Sequence, residues 1–277
     1  MRLVWQLVVV AVVSVVGNAT LQALRGDVLL TLVVGGATAA LGLATYAWVV
    51  RRTEHRAPDE VAWRGAVPAV ARGTLLGVAL CGAVIATVAL LGGYTVHGLG
   101  SVPGAVGVFG FMSAVAVMEE LLFRGVLFRW IEHWAGTWVA LASTAVIFGA
   151  AHLANPHAGL WGATAIAIEA GTMLAAAYVA TRRLWVPIGL HLGWNFALGG
   201  VFSAEVSGNG TSSGLLDTAL SGPAWITGGA FGPEASVFAV LFCGATAVVF
   251  LGWAHRRGRI VPMRRAARRA PAATLAR

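Results

Sequence analysis

The chain has 277 residues, 58% of them hydrophobic and only 11% charged, against roughly 25% charged in an ordinary soluble domain. That balance excludes a soluble globular protein and predicts an all-α fold: a polytopic membrane helix bundle of about eight transmembrane helices, at about 20 residues per span. The net charge of +8 rests on 19 basic residues, all arginine and confined mostly to loops and the tail, which fits membrane orientation and argues against nucleic-acid binding.

Apolar runs place spans at about 3–23, 28–50, 73–92, 104–128, 136–153, 158–180, 185–202 and 234–254. Met1-Arg2 followed by Val4 to Val16 also has the form of a signal-peptide core. Apolar character resumes through Leu24, so an uncleaved first helix is expected. Arg51, Arg52, Arg56, Arg64 and Arg72 follow span two, Arg129 follows span four, Arg182 and Arg183 follow span six, and a basic tail runs from Arg256 to Arg277. The alternate loops carry Arg25 alone, so the positive-inside rule puts both termini in the cytoplasm. The Gly- and Ser-rich stretch from about 203 to 233 is expected as an extracytoplasmic loop, and the tail as a surface-bound basic segment attracted to anionic lipid. Abundant Ala, Gly, Val and Arg without a single Lys points to a GC-rich genome and a bacterial cell membrane. Cys81 and Cys243 lie far apart in apolar segments, where burial as packing residues is expected.

The fourth span holds Met118-Glu119-Glu120-Leu121-Leu122-Phe123-Arg124-Gly125. Two carboxylates and a guanidinium in hydrocarbon cost about 8 kcal/mol before pairing. Glu120 and Arg124 are four apart and share a helix face, whereas Glu119 lies about 100° round and needs another partner. Two later pairs offer one: Phe148 and His152 in span five, and His191 and Asn195 in span seven, each with four-residue spacing that puts both members on one face. A lone membrane His is ordinarily a hydrogen-bonded packing group, but two of them beside a carboxylate pair point to one internal polar cavity. Glu169 lies mid-span as well, with a hydrogen bond to a neighbouring helix expected. His97, His133, His157 and Glu234 sit at predicted ends or loops.

The motifs Glu-Glu-x-x-x-Arg, Phe-x-x-x-His and His-x-x-x-Asn, in this order over about Gly104 to Phe202, resemble the CPBP (CAAX protease and bacteriocin-processing, or ABI) family of intramembrane endopeptidases. The context of His191, Leu-Trp-Val-Pro-Ile-Gly-Leu-His-Leu-Gly-Trp-Asn-Phe, and the segment Thr227 to Glu234 are also like bacterial members. The resemblance implies N-terminal helices with a basic cytoplasmic loop over 1–103, a catalytic core over 104–202, and an extracytoplasmic loop, last helix and tail over 203–277. It assigns the general base to Glu119, helped by His152, with Glu120 beside it. His191 and Asn195 would stabilise the oxyanion, while Arg124 and Phe148 support the site. The substrate implied is a membrane-associated polypeptide in the lipid bilayer; a prenylated one is not expected, because bacteria generally lack that modification.

Two Glu and two His also form a donor set for a divalent metal ion such as zinc, although no His-Glu-x-x-His signature is present. Metal-dependent and metal-free chemistry both stay open. A transporter or proton relay using the same ionisable residues, and a non-catalytic immunity or scaffold protein, are the alternatives. Depth poses a difficulty. At 1.5 Å per residue the expected boundaries put Glu119, His152 and His191 at three levels, which predicts either a re-entrant stretch near Pro103 to Phe111 or a fifth span continuing toward Pro156.

Overall fold

The computed structural model describes residues 2–210 and 213–263; the expected basic tail beyond Met263 lies outside the described residues. The apolar runs form helices α1 (Arg2–Ala23), α2 (Val28–Glu54) and α3 (Ala66–Leu90), then strand β1 (Tyr94–Leu99). Helix α4 (Val102–Glu120) runs through a π-helical segment, Leu121–Phe128, into α5 (Arg129–Ala135) as one rod of 34 residues. It is followed by α6 (Thr137–Ala151), by α7 (Leu160–Ile166), which continues through a second π segment into α8 (Met173–Thr181), and by α9 (Trp185–Asn195), which continues through a third π segment to Val201. Strand β2 (Leu216–Leu220), the short α10 (Ala224–Thr227) and α11 (Val237–Arg256) complete the chain.

Among the described residues seven helices are long and apolar enough to cross a membrane. The seventh expected span, now α9 with its π extension, falls short of that length and is buried on nearly every face. Apolar side chains cover the outer surface, as at Val15, Leu29, Leu75 and Val248, which suits a multi-pass protein whose solvent is lipid tail. Helix starts are set by side-chain caps: Asp27 accepts the Leu30 N–H at 2.9 Å, Ser101 that of Gly104 at 2.9 Å, and Ser236 that of Ala239 at 3.1 Å, each satisfying an N–H that the first turn leaves free.

Helix α9 is drawn into the centre by glycines. A Cβ on Gly73 or Gly77 of α3 would meet the Val186 or Leu190 carbonyl oxygen at 2.4 and 2.2 Å, and one on Gly189 or Gly193 of α9 would meet the Val70 or Thr74 carbonyl oxygen at 2.2 Å. Two facing small-x-x-x-small surfaces thus let the backbones touch, the packing expected where lipid supplies no hydrophobic drive between helices.

Three sequence expectations need correction. The fourth span does not end near 128: the helix runs on to Ala135, with Arg129, expected after the span, paired with Glu54 at 2.6 Å and Glu132 paired with Arg182 at 2.5 Å. The 203–233 stretch is not a loose loop, since β2 pairs antiparallel with β1 from Tyr94↔Leu220 to Leu99↔Leu216 and residues 204–208 are buried. Of the two answers expected for the depth difficulty, the re-entrant stretch is overturned and the longer fifth span holds. Helix α4 starts at Val102 without a re-entrant turn, while the fifth span runs past His152 as a 3-10 turn to Ala154. Counted from the α5–α6 turn, Glu119 is 16 residues from Ala135 and His152 is 15 from Thr137, so at 1.5 Å per residue both stand about 23 Å above it.

Candidate active site

Glu119 ends the regular part of α4 and faces a cavity of about 610 Å³ whose wall also includes His152, His191 and Asn195. With Phe148, also on that wall, five of the sequence-predicted residues therefore meet on one surface. Glu120 and Arg124 stand behind it. Glu120 is fully buried and Arg124 1% exposed, the guanidinium donating to Glu120 Oε1 at 2.6 Å. The same carboxylate oxygen lies 3.1 Å from His191 Nδ1, so Arg124, Glu120 and His191 form a chain that fixes the imidazole. Its other nitrogen, Nε2, is 3.9 Å from Glu119 Oε2, an oxygen that is buried without a hydrogen bond. That separation is too long for a direct bond and leaves room for one water off the axis at about 2.8 Å from each atom.

His152 is held differently. Its Nδ1 lies 2.8 Å from the Phe148 carbonyl oxygen; a carbonyl only accepts, so Nδ1 carries the proton and the neutral ring leaves Nε2 as a base. Phe148 is the packing centre: its ring centroid lies 4.6 Å from that of His152, 6.5 Å from that of His191 and 4.8 Å from that of Phe123, with the Arg124 guanidinium 5.0 Å from its face. Asn195, one turn beyond His191, has no hydrogen-bond partner for its amide among the described residues and lines the cavity.

The π segments supply acceptors to Nη2 of the buried Arg124, whose Nε is left without a partner among the described residues. An i→i+5 turn inserts a residue into the helix ladder, a feature common at functional sites, and carbonyls near the insertion reach partners outside the helix. In the segment Ala167–Thr172, the carbonyls of Ala170 and Gly171 accept from Arg124 Nη2 at 2.9 and 3.0 Å. In Leu121–Phe128, the Gly125 carbonyl faces Tyr46 and Arg129. In Phe196–Val201, the Gly200 carbonyl accepts the Leu215 N–H at 2.8 Å.

Two further carboxylates line the cavity: Glu234, which the sequence reading did not place there, and Glu169, expected to bond to a neighbouring helix. Glu234, expected at a helix end, is 1% exposed; it accepts from Trp194 Nε1 at 3.0 Å and from the Ser207 N–H and hydroxyl at 2.5 and 2.9 Å. Burial pushes its carboxyl up, against the Ser207 and Trp194 bonds that favour its ionised form. The one sequence signal was its place in the Gly-Pro-Glu segment. Glu169 lies against the Cys243 thiol of α11 at 3.9 Å, a weak link to a neighbouring helix, and its Oε2 has no partner. Both cysteines are free and buried. For the divalent ion, no three His, Cys, Asp or Glu side chains are grouped to hold a metal among the described residues, while both motif histidines use Nδ1 in hydrogen bonds and keep Nε2 for another partner.

Residues 101–197 match the family model described as type II CAAX prenyl endopeptidase Rce1-like. No curated protein and no solved structure matches the chain. The matched segment contains all three motifs and each of the five motif side chains that share the cavity: residues 101–197 are a CAAX protease (CPBP) family domain carried in a multi-pass membrane protein.

Proposed function

We propose that the chain is an intramembrane endopeptidase that hydrolyses a peptide bond in a membrane-associated polypeptide, with Glu119 as general base. The observation that carries this reading is the placement of the unpartnered Glu119 oxygen 3.9 Å from an imidazole nitrogen that an Arg124–Glu120 pair holds from behind. Glu119, assisted by His152 Nε2, takes a proton from a water, and the oxygen adds to the scissile carbonyl carbon. The carbonyl oxygen becomes an oxyanion, which accepts from the Asn195 amide and from His191 Nε2–H when that ring carries both protons; one such donor is worth about 3 kcal/mol. Collapse breaks the C–N bond, and the proton held by Glu119 passes to the leaving nitrogen. Glu120 acts through His191: it holds the ring and does not touch the reacting atoms.

The same reading treats residues 104–202 as the catalytic core between an N-terminal set of helices and the last helix. It places both termini at the cytoplasmic face, because Arg51, Arg52, Arg56, Arg64, Arg72, Arg129, Arg182 and Arg183 gather at the end of the bundle where α1 starts and α11 ends. The test is a comparison of membrane-associated peptides from cells producing the wild-type chain and Glu119→Ala. Fragments present only with the wild type support the reading; identical peptide sets, with both proteins folded in the membrane, would favour a transport or structural role.

A further inference from the structure

A second polar cluster, in which Tyr46, Arg56 and Glu60 come from outside residues 101–197, is built onto the back of the catalytic rod. Tyr46 of α2 is completely buried and its hydroxyl contacts the Glu60 carboxylate and, at 2.9 Å, the Gly125 carbonyl oxygen. Gly125 follows Arg124 in the π segment, and a Cβ there would lie 2.9 Å from the Tyr46 ring. Arg129 Nη1 donates to the same carbonyl at 3.0 Å and to the Tyr46 oxygen at 2.9 Å, and lies 3.1 Å from Glu60. Glu60 in turn accepts both terminal nitrogens of Arg56 at 2.9 and 2.8 Å. Its backbone carbonyl accepts the Leu184 N–H at 2.9 Å, immediately before α9, the helix that carries His191 and Asn195.

The connectivity matters because a tyrosine hydroxyl has one proton. The ionised Glu60 is the stronger acceptor, so it takes that proton and leaves the Gly125 carbonyl to Arg129, whose guanidinium Tyr46 and Glu60 hold in place. Glu60 of a surface loop thereby holds the π turn of Arg124 through its carboxylate, by way of Tyr46 and Arg129, and the start of α9 through its backbone carbonyl. Nothing in packing requires it: an apolar side chain would fill the same space with no charge to bury.

The geometry points to Glu60 and Tyr46 as positioning residues for the proposed peptidase site, fixing the Arg124–Glu120–His191 chain from a loop about 60 residues before the motif. This inference rests on the endopeptidase reading above. The test uses the full chain in lipid nanodiscs with Tyr46→Phe, Glu60→Gln and Glu60→Asp, a substrate taken from the peptide comparison, and hydrogen exchange of the 121–128 segment. Tyr46→Phe and Glu60→Gln should lower kcat about tenfold per folded molecule with KM unchanged, and speed exchange in 121–128 more than elsewhere. Glu60→Asp, which keeps the charge, should retain more of kcat than Glu60→Gln. Faster exchange with unchanged kcat would reduce the cluster to a structural clamp and overturn the inference; unchanged exchange would overturn the coupling itself. A wild type that cleaves nothing refutes the endopeptidase reading, and the positioning role falls with it, while the exchange data still report whether the clamp exists.

Discussion

Removing the Arg124 guanidinium exposes the energetics of the site most sharply. In Arg124→Met, Glu120 is left fully buried without its 2.6 Å partner, and the Ala170 and Gly171 carbonyls lose donors at 2.9 and 3.0 Å. Breaking a buried pair from one side costs about 3 to 5 kcal/mol, and each bond to a charged group contributes about 1.5 to 3 kcal/mol. These terms overlap, so at least about 4 kcal/mol is expected, a substantial part of the 5 to 15 kcal/mol that holds a typical fold. The partner variant Glu120→Gln/Arg124→Met removes the stranded charge while the glutamine oxygen still accepts from His191 Nδ1. It should recover about 2 kcal/mol, a coupling expected for contacting residues. Both would be measured by denaturant titration in mixed micelles, following tryptophan fluorescence. Stability of Arg124→Met within about 0.5 kcal/mol of wild type, or strict additivity in the double variant, would refute the buried-pair argument.

Three further outcomes follow from other parts of the fold. Reporter fusions after Arg52, Arg183 and Arg257 should read cytoplasmic and fusions near Gly98 and Gly210 external; a cytoplasmic signal near Gly210 would overturn the orientation. For Glu60, burial opposes ionisation, but the Arg56 and Arg129 guanidiniums and the Tyr46 hydroxyl outweigh it and hold the carboxyl below the usual carboxylate range. Its stabilisation is therefore complete above the ordinary value near about 4.3 and is lost as pH falls through the lower folded value; Glu60→Gln should flatten that acid limb in thermal melts, and an unchanged limb would contradict the assignment. Gly193→Ala places a Cβ 2.2 Å from the Thr74 carbonyl oxygen, so α3 and α9 must separate at a cost of about 1 to 3 kcal/mol; an unshifted melting midpoint would contradict the close packing.

The sequence carried the helices well because each apolar run is long and local. What it hid depends on partners distant in the chain. Arg129 looked like the end of a span because its neutralising partner, Glu54, lies 75 residues away. The β1–β2 pairing joins segments separated by about 120 residues, and no short-range hairpin signal marks it. Four-residue spacing was enough to put Glu120 with Arg124 and His191 with Asn195, since that rule is geometric within one helix. It says nothing of Glu234, whose burial comes from Trp194 and Ser207, nor of the facing glycines that bring α9 to the centre. Glu120, read as a supporting residue held by Arg124, also holds His191, a contact across 71 residues that no local spacing marks.

The most direct test of the proposed chemistry is the turnover of Glu119→Gln, which keeps the side chain's size and hydrogen bonding while removing the base. With the substrate drawn from the peptide comparison and folded protein quantified in the same nanodiscs, cleavage should fall by at least about a hundredfold while the melting midpoint stays near that of the wild type. Wild-type turnover in this variant would contradict the general-base assignment and return the two glutamates to an architectural role.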